Sequence, residues 1–135
     1  MQRTGKENIV ETWILAALAV YLLNVFLPAL MYLPQIGIAG HVGSRDSLPE
    51  HARLAARARK SHANYQENLP VFLALAFLVM LSETADMGQA VLGAQLFVLG
   101  RLAYMPLYIA GIPWLRSGAY LVSFAGYALL VMAIL

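Results

Sequence analysis

The chain has 135 residues, of which 61% are hydrophobic and only 12% charged, with a formal net charge of +2. Soluble domains carry about 25% charged residues, so this sequence could not cover a water-facing surface without exposing large apolar patches. Its mean hydropathy of +0.68 reads instead as an integral membrane protein. The positive balance does not indicate nucleic acid: five of the nine Lys and Arg lie between Arg45 and Lys60 with no aromatic residue among them, whereas single-strand binding needs stacking platforms. With no cysteine, the chain has neither disulfides nor a thiol of its own.

The first apolar run covers about residues 13–38, interrupted by Asn24, Pro28 and Pro34. At about 1.5 Å per residue it can cross a hydrocarbon core of about 30 Å. It is too long for a signal-peptide core and has no small-residue cleavage site, so it predicts a retained helix, bent at Pro28. Gly37 to Leu48 reads as a loop, and Pro49 suits the first turn of a second helix over about residues 50–83. That helix begins polar (Arg53, Arg57, Arg59, Lys60, His62, Asn64, Glu67) and becomes almost purely apolar from Leu69 to Leu81. It is longer than the bilayer core requires, so the basic half is expected at the membrane edge. A short acidic turn, Ser82 to Gly88, leads to a third helix over about 89–110, closed by Gly111 to Pro113, and a fourth over about 114–135. The expected fold is an all-α bundle of four transmembrane helices in one domain. The basic first loop is predicted to be cytoplasmic, with the third on the same side and both termini outside. Arg3 and Lys6 are a weaker opposing signal.

Ionisable groups are few in lipid, and each one kept there marks a candidate functional position. At about 100° per residue, Arg53, Arg57, Lys60, Asn64 and Glu67 fall within an arc of about 80°, continued by Val71 and Leu78. This stripe is expected to face into the bundle, with His62 on nearly the opposite side. The third helix aligns Arg101, Tyr104 and Tyr108; the fourth aligns Arg116, Tyr120, Ser123 and Tyr127. Counting outward from the turns makes Glu67 level with Arg101, Asn64 with Tyr104, Lys60 with Tyr108, and Tyr108 with Arg116. Three polar stripes therefore converge at the cytoplasmic end, with Glu67 and Arg101 expected to pair. A structural ion pair with interface-anchoring tyrosines would explain part of this. The remaining cations exceed what packing needs and suit an anionic ligand bearing carboxylates. Glu67 or Asn64 could receive its amine, and Arg116 its anion. Ser123 and Tyr127 read as packing residues, and His41 and His51 as loop residues. The three histidines have no metal-ligand spacing.

The segment Arg57-Ala-Arg-Lys-Ser-His-Ala-Asn64-Tyr-Gln-Glu67-Asn-Leu-Pro70 resembles the signature of the MAPEG family, the membrane-associated proteins in eicosanoid and glutathione metabolism. That signature is Arg-Ala-x-x-Asn-x-x-Glu before an apolar run. Arg101-Leu-Ala-Tyr104-Met-Pro-Leu-Tyr108 and Arg116-Ser117-x-x-Tyr120 resemble the family's third and fourth helices, and Glu-Asn-Leu-Pro is similar to its bacterial branch. The resemblance runs from about Pro49 to the end. It implies a homotrimer in a bacterial inner membrane, with glutathione as co-substrate held between subunits at the cytoplasmic ends.

Carried over position by position, the resemblance assigns Asn64 and Glu67 to the signature pair, with Arg101 as partner of the Glu. Tyr104 and Tyr108 line the glutathione site, Arg116 holds the sulfur as thiolate, and Ser117 and Tyr120 are its neighbours. Lys60 stands where the signature has its first arginine, and Ser61 where it has alanine. The end of the first helix offers only His41, with Arg45 as a substitute if the loop folds back. The implied function is a glutathione-dependent transferase or peroxidase acting on lipophilic electrophiles from the bilayer. A non-catalytic lipid-binding or scaffold protein of the same fold is the alternative. A small four-helix exporter is disfavoured, because it needs an exposed membrane carboxylate, and the first helix has none while Glu67 is expected to pair with Arg101.

Overall fold

The computed structural model describes residues 5–44 and 53–135; Arg45, Pro49 and His51 lie outside them. Four helices follow one another: α1 (Gly5–Val42), α2 (Arg53–Leu81), α3 (Met87–Ala110) and α4 (Pro113–Ile134). Each is long and apolar enough to cross a membrane, and the described residues contain no strand. The protein is an all-helical integral membrane protein.

Local chemistry sets the helix ends. The Asp86 side chain accepts from the N–H groups of Gly88 and Gln89 and caps α3. Gly111, at φ 76°, adopts the left-handed conformation that ends α3, and Pro113 starts α4 with its ring pre-set for a first turn. In α1 the break falls at Gly37 (φ 65°, ψ 176°), beyond both internal prolines, and helical turns resume as far as Val42. The segment read as a loop from Gly37 is therefore partly helix: one helical run ends at the glycine and a second, short one follows it to Val42.

The helices form a layered arrangement. Helix α1 packs on α2 and α3, while α4 packs chiefly on α3, touches α2, and makes no contact with α1 among the described residues. The α3–α4 seam is closest, because glycines let the backbones meet. A Cβ on Gly126 would stand 2.5 Å from the Gly93 carbonyl oxygen, and one on Gly100 would stand 2.8 Å from the Ser123 nitrogen. At the centre, the rings of Phe72 and Phe97 stack at 4.2 Å.

The inward face of α2 differs from the expectation. Its buried residues are Ala55, Ala58, Ser61, Tyr65, Leu69, Phe72, Ala76 and Val79. Arg53, Lys60, Glu67, Val71 and Leu78 are all exposed on the single chain. At about 100° per residue Glu67 lies about 160° from Tyr65, whereas Arg57 and Asn64 lie only about 80–100° away, on the flank of the buried stripe. The polar stripe borders the bundle rather than filling it. His62 lies against α1, its ring 5.5 Å from that of Tyr21.

Candidate functional site

Arg101 is the polar centre of the bundle. It is 1% exposed, and its Nη1 donates to the Asn64 Oδ1 at 2.6 Å. Its guanidinium lies 5.0–6.0 Å from the ring centroids of Tyr65, Phe97, Tyr104 and Tyr120. Aromatic faces attract a cation most where water is excluded, so this box supplies much of what a carboxylate was expected to supply. Nε and Nη2 have no hydrogen-bond partner among the described residues.

Glu67 does not take the predicted role. It is exposed, and the guanidinium's bond goes to Asn64, one turn nearer the start of α2. Counting from the turn placed Glu67 at nearly the right height but on the wrong side of the helix. Asn64, expected opposite Tyr104, instead meets Arg101.

Asn64 is itself held in place. The Asn68 side chain donates to the Asn64 carbonyl at 2.8 Å, and the Tyr127 hydroxyl donates to the Asn68 carbonyl at 2.7 Å, with its Oδ1 at 3.2 Å. Tyr127, read as a packing residue, is thus a polar tie between α4 and α2. Asn68 and Tyr65 were missed in the sequence. The Asn64–Asn68 spacing of one helical turn was the available signal. Tyr65, whose hydroxyl donates to the Ala17 carbonyl of α1 at 2.8 Å, gave none. Ser61 is buried and donates to the Asn24 Oδ1 at 3.3 Å, which gives the departure from alanine a local partner.

The remaining candidate residues gather beside Arg101, toward the α3–α4 corner. Tyr104 is buried, with its ring 5.5 Å from Tyr108 and 6.2 Å from Tyr120. The Arg116 guanidinium lies over the Tyr108 ring at 4.6 Å. Arg116 is half-buried, so its charge is oriented yet reachable. Ser117 is exposed, and its hydroxyl donates to the Pro113 carbonyl at 2.9 Å. Lys60 is exposed on α2. The structure therefore joins Asn64, Arg101, Tyr104, Tyr108, Tyr120 and Arg116 into one connected group, with Lys60 and Glu67 on the adjoining outer face of α2. Arg101 is enclosed by rings, so the half-buried Arg116, resting on one ring, is the cation of this group that an anion at the bundle's edge can reach. The described residues hold no group of three or more metal-ligating side chains.

Comparison with curated proteins gives no match. A family model described as MAPEG family matches residues 11–135, nearly the whole chain, and its members generally serve glutathione-related or eicosanoid metabolism. With four membrane-spanning helices and this match over almost its full length, the chain belongs to the MAPEG family.

Proposed function

We propose that the protein is a glutathione-dependent transferase or peroxidase acting on lipophilic electrophiles that arrive laterally from the bilayer. The observation that carries this reading is the pairing of Arg116, half-buried over Tyr108, with an unshielded α2 face that bears Lys60 and Glu67. Lys60 and Glu67 stand exposed in the polar first half of α2, where an anionic, amine-bearing ligand at the membrane edge can reach both.

Glutathione suits the charge pattern. Its carboxylates fit Lys60, its amine fits Glu67, and the Tyr104, Tyr108, Ser117 and Tyr120 groups can line the peptide. When bound, it supplies the nucleophilic sulfur that this cysteine-free chain lacks. The chain's own contribution is electrostatic. Arg116 favours the deprotonated sulfur by placing a fixed cation beside it. Asn64 and Arg101 fix the wall behind the site, and Arg101 adds a second positive charge in a low-dielectric surrounding. A homotrimer would cover the α2 faces, and the basic end would lie on the cytoplasmic side of a bacterial inner membrane.

Calorimetric titration of the detergent-solubilised protein with glutathione tests this. Saturable binding weakened by Lys60→Ala and by Glu67→Gln is expected. No saturable heat would refute the transferase reading and leave a non-catalytic lipid-binding role on the same fold.

A further inference from the structure

One guanidinium at the basic end has no role in the scheme above. Arg57, in the early turns of α2, is half-buried, and its Nη1 donates to the Ile109 carbonyl at 3.1 Å. That carbonyl belongs to the last turn of α3, where oxygens lack an intrahelical donor. The Gly111 N–H reaches the Leu107 and Tyr108 carbonyls, and the Ile112 N–H also reaches Leu107. Arg57 serves the next one. Its charge also matches the negative end of the α3 dipole.

The contact is a flat one. A Cβ on Gly111 would stand 2.5 Å from Arg57 Nη1 and 2.6 Å from both Cζ and Nη2. Three nearly equal distances mean that the guanidinium plane lies against the Gly111 Cα. Gly111 is thus needed twice, for its φ of +76° and for this approach. The gripped carbonyl follows Tyr108 directly, and beyond Gly111 the Arg116 N–H already donates to Ile112. Arg57 therefore holds the chain between the two members of the Tyr108–Arg116 stack.

We propose that Arg57 is the positioning residue of the α3–α4 corner, fixing the Tyr108–Arg116 stack and hence the place where the Arg116 charge is presented. The inference rests on the proposed function only in taking Arg116 as the anion-holding group. A plain helix-end contact would instead stabilise the whole bundle without steering Arg116.

The test compares the full-length protein with Arg57→Met, Arg57→Lys and Gly111→Ala in detergent, by hydrogen exchange and by the pH at which glutathione shows its ultraviolet thiolate band. In Arg57→Met, exchange over residues 109–116 should rise about tenfold while residues 90–100 stay within about twofold of the parent. The thiolate midpoint should move to higher pH with glutathione affinity changed by less than about threefold. Gly111→Ala should raise exchange at the corner at least as far, because a side chain at φ +76° strains the backbone besides displacing Arg57, so the Arg57 variants alone decide the proposal. Arg57→Lys should recover part of the protection, since an ammonium can donate to Ile109 but cannot lie flat. Unchanged exchange at the corner, or an equal rise along all four helices, overturns the proposal whether or not glutathione binds. Failure of the parent protein to bind glutathione counts against the proposed function, and the exchange measurement then decides the role of Arg57.

Discussion

Replacing Asn64 with alanine removes the oxygen that accepts from Arg101 Nη1 at 2.6 Å. Nε and Nη2 make no hydrogen bond of good geometry among the described residues, so the substitution leaves a buried guanidinium held by aromatic faces and the nearby Tyr127 hydroxyl. A hydrogen bond to a charged group contributes about 1.5–3 kcal/mol, while the four ring contacts remain, so Asn64→Ala should destabilise the bundle by about 2 kcal/mol. The same substitution made on an Arg101→Met background removes no such bond and should cost less than about 0.5 kcal/mol, giving a coupling of about 1.5 kcal/mol. The assay is unfolding in mixed detergent, followed by circular dichroism for the four members of the cycle. Glu67→Gln leaves that bond intact, so its effect without ligand should be the same on the parent and on the Arg101→Met background, within about 0.5 kcal/mol. Additive effects of Asn64→Ala and Arg101→Met, or a coupling of Glu67 to Arg101 as large as that of Asn64, would refute the placement of Asn64 as the acceptor for Arg101.

Gly126→Val should destabilise by about 1–3 kcal/mol through overpacking, because its Cβ would meet backbone atoms of Gly93 and Phe97 that cannot rotate away. Gly118→Ala is its control: nothing lies within 4 Å there, so thermal unfolding should be unchanged or raised by up to about 1 kcal/mol. A Gly126→Val protein as stable as the parent would show that the α3–α4 seam is not close-packed. Tyr127→Phe loses the hydroxyl that reaches Asn68 and should cost about 1 kcal/mol. If Tyr127 only fills space, the same unfolding assay will show no loss.

The four helices were legible because apolar runs of membrane length are separated by turn chemistry that survives in the structure. Gly111 and Pro113 were read as closing the third helix, and the dihedral angles there show how they do so, while the Asp86 cap of α3 emerges only in the structure. The kink at Gly37 was less legible, since a glycine that stops a helix and one that redirects it look alike in sequence. The polar stripe of α2 was expected to face into the bundle, but it borders it. The rule that charges in lipid turn inward supposes that one chain supplies the whole interior. Here Ala58, Ser61, Tyr65 and Phe72 fill it, and Lys60 and Glu67 remain outside, which is consistent with cover from a ligand or another copy.

Pairwise counting also misjudged the partner of Arg101. Height along a hairpin says nothing about azimuth, and only azimuth separates Asn64 from Glu67. The roles of Tyr65, Asn68 and Tyr127 depend on contacts among three helices, which no single-helix periodicity contains. The Arg101–Tyr104–Tyr108 and Arg116–Tyr120 patterns were legible as faces, and the structure brings them together around the corner that Arg57 grips.

The central claim is that Arg116 stabilises a bound thiolate. The most direct measurement is the ultraviolet difference spectrum on adding glutathione to the solubilised protein and to Arg116→Gln. A thiolate band that appears near neutral pH in the parent and is lost in the variant, with glutathione still bound, is the expected result. Bound glutathione without that band in the parent, or an equal band in Arg116→Gln, would contradict the claim.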